Sequence, residues 1–105
     1  MNHGLSATTV AKIHGVLSQH SEVEQAILYG SRAKGNYKHG SDIDLTLTGS
    51  GLVYDDLLKI MGELDDLLLP YTIDLSLFAS LTHPELIDHI GRVGVVFYEK
   101  KPLPA

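Results

Sequence analysis

The sequence predicts an α+β (mixed α/β) domain with one sheet and helices packed against it. Helical and strand patterns follow one another in the order α-β-β-α-β-α-β, without an internal repeat or a linker. The chain has 105 residues, and this length predicts a single domain over residues 1–105, built around one modest core.

The first segment of the chain predicts a helix, a buried strand and a short helical turn. Ser6 offers a capping side chain, and apolar residues then recur at helical spacing as far as Leu17. Residues 23–29 form an apolar run that predicts a strand, and Gly30 ends it. Residues 31–34 follow as part of a loop, with room for one helical turn.

The middle segment predicts an alternating strand and the most clearly amphipathic helix. Residues 41–48, SDIDLTLT, alternate strictly, so that Asp42 and Asp44 share a face with two threonines. Residues 54–69 place apolar side chains along one stripe and acidic side chains toward water. Pro70 marks the end of this helix.

The last segment predicts a strand, a helix and a second strand. Residues 71–78 alternate again and carry Asp74 on their polar face. Residues 81–94 predict a helix that is capped at Thr82 or His83. The apolar segment after it predicts the final strand, and the last six residues predict a loose tail.

Composition argues against several classes of protein. The net charge of −5 argues against a large basic surface for direct nucleic-acid binding. The chain has no cysteine, which rules out disulfides and thiolate metal sites. There is neither a signal-peptide pattern nor an apolar run near the ~20 residues that a membrane helix needs. We therefore expect a cytoplasmic protein without a membrane segment.

Three aspartates form the first candidate site. Residues two apart on a strand lie ~6–7 Å apart on one face, and Asp42 and Asp44 have this spacing. If the strand that carries Asp74 pairs with theirs, three carboxylates meet, and such anions repel one another strongly without a cation. Hard oxygen ligands suit Mg²⁺, with Mn²⁺ as the alternative, and paired ions lie ~3.5–4 Å apart. Asp42, Asp44 and Asp74 are thus the predicted metal-binding and catalytic residues.

A second candidate site lies at the end of the preceding strand. Backbone N–H groups and a hydroxyl at Gly30 and Ser31 suit phosphate oxygens, and glycine permits a close approach. Arg32 either offsets triphosphate charge or is a solvated loop residue. Each piece alone is a weak signal, since a Gly-Ser pair is usually a turn. Together, a phosphate-binding loop and a carboxylate cluster provide the groups that nucleotidyl transfer requires.

These motifs resemble the signature of the DNA polymerase β-like nucleotidyltransferase superfamily. Gly30-Ser31 is followed, after ten residues, by Asp42-Ile43-Asp44, and the runs GSRAKG and SDIDL are similar to those of the minimal nucleotidyltransferases of bacteria and archaea. The resemblance spans essentially the whole chain. It implies the polymerase β-like nucleotidyltransferase fold, a short mixed sheet flanked by helices.

The resemblance also implies a role for each candidate residue. Asp42 and Asp44 would hold two metal ions, and Asp74 would complete the shell of one ion and help to take a proton from the acceptor. Gly30 and Ser31 would hold the terminal phosphates of a nucleoside triphosphate. By similarity the donor is ATP and the transferred group is AMP.

The resemblance further implies a protein partner. Minimal nucleotidyltransferases occur beside a helical-bundle protein, either a HEPN-type ribonuclease toxin or a related substrate-binding protein. In the toxin–antitoxin version, the nucleotidyltransferase is the antitoxin and adds AMP to a tyrosine of the toxin. A chain of 105 residues leaves little room for an acceptor-binding half, so we expect a hetero-oligomer or a homodimer.

Two other functions stay open. The chain could be a non-catalytic antitoxin subunit that neutralises its partner by complex formation, with an idle nucleotide site. A weaker alternative is a metal- or phosphate-binding domain without transfer activity.

Overall fold

A four-stranded mixed sheet organises the molecule. The structure is a computed structural model that describes residues 3–38 and 40–100, so most of the predicted tail lies outside the described residues. Within them the strands are β1 (Gln25–Tyr29), β2 (Ile43–Thr48), β3 (Ile73–Leu77) and β4 (Val95–Glu99), in the order β3-β2-β1-β4. β1 is antiparallel to both β2 and β4, whereas β3 is parallel to β2. The predicted α+β fold with a short mixed sheet is confirmed.

Helices connect these strands in the predicted order. They are α1 (Ala7–Ser18), α2 (Gly30–Lys34), α3 (Tyr54–Asp65) and α4 (Pro84–Val93), and a short 3-10 turn follows β3. Within the described ranges, no helix combines the length and the apolar character that a membrane crossing requires.

Local side-chain chemistry fixes where the helices begin. The Ser6 hydroxyl accepts the N–H of Thr9 at 3.1 Å, which caps α1. The Asp56 carboxylate accepts the N–H of Val53 at 3.0 Å at the start of α3. At α4 the cap is His83, whose Nδ1 accepts a backbone N–H at 3.4 Å.

Several predicted boundaries were wrong. The strand predicted over residues 23–29 begins at Gln25, and the helix predicted over residues 81–94 is Pro84–Val93. The helix predicted over residues 54–69 ends at Asp65, because the chain turns at Leu68, whose φ is +54°. Pro70 disfavours helical backbone at the residue before it, so the helix has to end earlier. The strand predicted over residues 71–78 is shortened to Ile73–Leu77, since its last residue belongs to the 3-10 turn.

The hydrophobic core lies on one face of the sheet, beneath α1 and α3. The alternate apolar residues of β1 and β2 and the inner residues of both helices are buried there: Ile13, Leu17, Ala26, Leu28, Ile43, Leu45, Leu47, Leu57, Ile60 and Leu64. Strand alternation sends the polar residues of β2 and β3 to the opposite face. That face is left for α2 and α4, which contact each other and β1.

Candidate active site

Two carboxylates meet on the polar face of the sheet. β2 and β3 pair so that Asp44 lies directly opposite Asp74, and Thr46 lies opposite Ser76. The Ser76 hydroxyl donates to Thr46 Oγ1 at 3.0 Å, and Thr46 is fully buried. This pair holds the two strands in register beneath the carboxylates. Asp44 is half-buried, whereas Asp74 is open to solvent.

The third carboxylate lies at the entry to β2 and not within it. The pairing of β2 with β3 begins at Ile43, whose N–H donates to the carbonyl of Thr72 at 2.9 Å. Asp42 therefore precedes the strand, which corrects the strand predicted from residue 41, and its side chain is exposed.

The charges of the site act on one another. Burial raises the pKa of the Asp44 carboxyl above its usual range, and the charges of Asp74 and then Asp42 raise it further. His89, which α4 brings to the same place, lowers the pKa of Asp44 by a smaller amount. The carboxylates are thus near enough to repel, and ionising Asp44 costs more than ionising an isolated aspartate in water.

The donor chemistry of this cluster fits a hard divalent ion, although the ligand geometry is not preformed. Carboxylate oxygens are the ligands that Mg²⁺ prefers, and a cation would remove the repulsion that raises the pKa of Asp44. Among the residues that the structure describes, no three acidic or histidine side chains converge closely enough to hold a metal ion as they stand. Mutual repulsion is a sufficient reason for carboxylates to stay apart.

Gly30 lies against the carboxylate cluster. Its φ is +76°, a left-handed conformation that favours glycine, and a Cβ at this position would overlap Asp44 Oδ2. Ser31 is the next residue, at the start of α2, and is partly exposed. The sequence therefore brings the candidate phosphate-binding loop and Asp44 into direct contact, with no room for a side chain between them.

Arg32 does not face the site as predicted. Its side chain is only 2% exposed. Its guanidinium donates to the carbonyl of Ser41 from Nε at 3.1 Å and from Nη2 at 2.8 Å, and Nη1 donates to the carbonyl of His3 at 2.9 Å. Both alternatives considered from the sequence, a phosphate contact and a solvated loop charge, are at odds with this placement. Each of its three nitrogens already donates to a backbone carbonyl, and the side chain is buried.

Two further residues border the cluster, and the sequence patterns did not single them out for chemistry. Burial raises the pKa of the Tyr29 phenol, a hydrogen bond with Ser76 partly offsets this, and the charges of Asp74 and Asp44 raise the pKa again. The ring of His89 contacts the ring of Tyr29 edge-to-face, with centroids 6.3 Å apart. Tyr29 pairs with Asp44 across β1 and β2. In the sequence, its position directly before Gly30 is the signal that could have identified it.

Comparison with known proteins identifies the family. The profile of the family described as "Polymerase beta, Nucleotidyltransferase" matches residues 11–103. No curated protein is similar enough to the chain to match it.

Several solved structures have the same fold. A toxin–antitoxin crystal structure with AMP-PNP has a TM-score of 0.68 at 18% identity, and the match covers 92% of this chain and 76% of that chain. The toxin–antitoxin MntA–HepT gives a TM-score of 0.66 at 18% identity, with 90% and 74% covered. A tri-AMPylated Shewanella oneidensis HEPN toxin in complex with MNT antitoxin gives 0.65 at 18% identity, with 89% and 71% covered.

At this level of identity the structural likeness establishes the fold, and the sequence profile establishes the family. Because the profile spans almost the whole chain, the protein belongs to the polymerase beta nucleotidyltransferase family.

Proposed function

We propose that this protein transfers AMP from ATP, with Mg²⁺, to a hydroxyl group of a HEPN-type helical-bundle partner, and that it acts as the antitoxin of that partner. The acceptor is a tyrosine in this proposal. All the catalytic groups come from one domain that spans the chain, and the reaction takes place in the cytoplasm, where ATP is available.

The contact between Gly30 and Asp44 is the observation that carries the proposal. A bare backbone with φ of +76° lies against a carboxylate oxygen, so a phosphate held at Gly30 and Ser31 would lie beside the groups that bind the metal. A structural turn does not need this arrangement, since a turn glycine has no reason to lie against a carboxyl group.

Each residue of the site has a defined task in this proposal. The first N–H groups of a helix lack partners within the helix, so Gly30 and Ser31 bind the terminal phosphates through N–H groups and the serine hydroxyl. Asp42 and Asp44 would hold the ions, and Asp74 would contribute a further ligand. Mg²⁺, when bound, neutralises the triphosphate and stabilises the departing pyrophosphate.

Asp74 is the residue that we propose takes the acceptor's proton. It is exposed and lies opposite Asp44, so a hydroxyl from another protein can reach it. As the hydroxyl proton passes to Asp74, the acceptor oxygen bonds to the α-phosphorus. The bond from that phosphorus to the bridging oxygen breaks, and pyrophosphate leaves.

The open position of the site supports a protein acceptor. Asp42 and Asp74 are both exposed, so nothing on the described face buries the acceptor side of the cluster. The similar structures include a tri-AMPylated HEPN toxin in complex with an MNT antitoxin, which is the chemistry that we propose for this chain.

Intact-mass spectrometry tests the proposal. A candidate HEPN-type helical-bundle partner is incubated with the chain, ATP and Mg²⁺, and a parallel sample contains the Asp42→Asn/Asp44→Asn variant. A mass gain of whole AMP units that is absent with the variant supports transfer. A stable complex without any mass gain would favour the second candidate, neutralisation by binding alone. The absence of a preformed three-ligand metal site among the described residues is the observation that keeps this candidate open.

A further inference from the structure

Arg32 is a buried cation, and each of its three guanidinium nitrogens donates to a backbone carbonyl. Two of its nitrogens share the carbonyl of Ser41, and the third binds the carbonyl of His3. The ion pairs of the described residues join other side chains and do not include Arg32. Its charge is therefore balanced by carbonyl dipoles. This is an unusual environment for an arginine, because a buried charge is costly and is normally paired with an opposite charge.

Two aromatic rings enclose the guanidinium. The Tyr37 centroid lies 5.1 Å from the guanidinium carbon and the Tyr71 centroid lies 4.9 Å from it, both within the range of a cation–π contact. Gly4 lies against the Tyr37 ring, and a Cβ at Gly4 would overlap it. The N-terminal segment and two separate loops thus close around one side chain.

The groups that Arg32 joins are those that lead into the site. Arg32 belongs to α2, which begins at Gly30, and its acceptor Ser41 immediately precedes Asp42. Tyr71 lies just before β3, the strand that carries Asp74. A turn closed by hydrogen bonds between Lys38 and Ser41, at 2.8 and 2.9 Å, completes the loop that Arg32 holds.

We propose that Arg32 is a positioning residue that fixes Asp42 relative to Gly30 and Ser31 by holding the Ser41 carbonyl, and that it does not touch the nucleotide. This inference rests on the proposed function of the same site. An arginine is suited to the task because its planar fork directs two N–H groups at one carbonyl while its faces stack on aromatic rings. A lysine keeps the charge but offers no fork, so it cannot replace these contacts.

The test compares Arg32→Lys and Arg32→Met with two matched controls. Arg92→Met removes the same charge from the other arginine of the chain, which is exposed and pairs with Asp88 on α4. Leu17→Ala lowers stability from the core on the opposite face of the sheet, without touching the loop. Tyr37→Leu removes one of the two rings that enclose Arg32 and leaves Arg32 in place. This variant replaces the Arg32 variants in the test if those do not fold.

Two quantities are measured on the full chain. The first is amide hydrogen exchange in the loop between α2 and β2. The second is the affinity for AMP-PNP with Mg²⁺ and, separately, with EDTA. A positioning role predicts that both Arg32 variants speed exchange in the loop at least tenfold and weaken the Mg²⁺-dependent affinity at least tenfold. It also predicts little change in the affinity measured with EDTA. Tyr37→Leu should change the exchange rate and the Mg²⁺-dependent affinity in the same direction, but by less.

Other outcomes overturn the inference. If Arg32→Met loses affinity equally with and without Mg²⁺, and Arg32→Lys restores it, Arg32 is a phosphate ligand. If Leu17→Ala lowers the Mg²⁺-dependent affinity as much as Arg32→Met does, the role of Arg32 is general stability. Wild-type exchange and affinity in both Arg32 variants would also refute it. If the wild-type protein does not bind AMP-PNP with Mg²⁺, the proposed function fails, and the exchange measurement still decides whether Arg32 holds the loop.

Discussion

Replacing Gly30 with alanine separates backbone strain from damage to the site. A non-glycine residue in the left-handed region costs about 1–2 kcal/mol, and Gly30 has a φ of +76°. The new Cβ would overlap Asp44 Oδ2, and turning a side chain away from its preferred rotamer costs about 0.5–1.5 kcal/mol. We therefore expect Gly30→Ala to lower the free energy of unfolding by about 1.5–3.5 kcal/mol.

The expected effect on catalysis is larger than the effect on stability. Displacing a positioned group by about 1 Å costs on the order of 100-fold in rate. The alanine methyl has to move the Asp44 carboxylate by a distance of this order, because the two would otherwise overlap. AMP transfer and the Mg²⁺-dependent binding of AMP-PNP should both fall, and urea unfolding measures the loss of stability independently.

Gly35→Ala is the matched control. Gly35 has a φ of +87°, and among the described residues beyond its chain neighbours no atom lies within 4 Å of the point where an added Cβ would stand. This variant should lose only the stability that backbone strain costs, about 1–2 kcal/mol, and should keep its transfer rate. Equal rates for the Gly30 and Gly35 variants would refute the assignment of Gly30 to the site.

Three further predictions follow from the charges and the core. Burial and neighbouring charges raise the pKa of Asp44, so the folded state holds this proton more tightly than the unfolded state. Stability is then lost as pH rises from the ordinary value of 3.8 through the raised pKa. Asp44→Asn should accordingly raise the melting temperature of the metal-free protein at pH 7, and the gain should vanish near that ordinary value. Added Mg²⁺ should raise the melting temperature of the wild type, because binding at 100 times the Kd adds about 2.7 kcal/mol to the free energy of unfolding. The Asp42→Asn/Asp44→Asn variant should show no such rise. Ile60→Ala, at a fully buried position of α3, should cost about 2–5 kcal/mol in urea unfolding.

Each of these predictions has a result that contradicts it. A lower melting temperature for metal-free Asp44→Asn at pH 7 would mean that the ionised carboxylate is stabilised in the folded protein. Equal stabilisation of the wild type and the double variant by Mg²⁺ would place the ion elsewhere. For the core, Leu58→Ala on the same helix is the control, since Leu58 is 48% exposed. If Leu58→Ala lowered the free energy of unfolding as much as Ile60→Ala does, burial would not explain the loss at Ile60.

The periodic parts of the fold could be predicted from the sequence. Alternation in residues 41–48 and 71–78 predicts which side chains share a face, and β2 and β3 pair with Asp44 opposite Asp74. A period of two depends only on the pleat of the strand, so it survives errors of one or two residues at the strand ends.

Features that depend on a loop returning to the protein could not be predicted. Arg32 lies in a single helical turn, where no periodicity distinguishes an inward from an outward side chain. An arginine that precedes a loop has the same sequence context whether its side chain meets water or the Ser41 carbonyl. His89 reaches the site because α4 packs against β1, a contact between distant segments that no local pattern records.

The parallel pairing of β2 with β3 also has a consequence for how the chain folds. Thr46 and Ser76 are 30 positions apart, and α3 has to cross between the strands before they meet. Such non-local pairing is slow, because the connecting segment loses much of its freedom first. The same step brings Asp44 against Asp74, so like charges oppose the closing of the sheet. We therefore expect refolding to be faster in high salt, where screening weakens this repulsion. The pairing of β3 with β2 is the step that we expect ionic conditions to control.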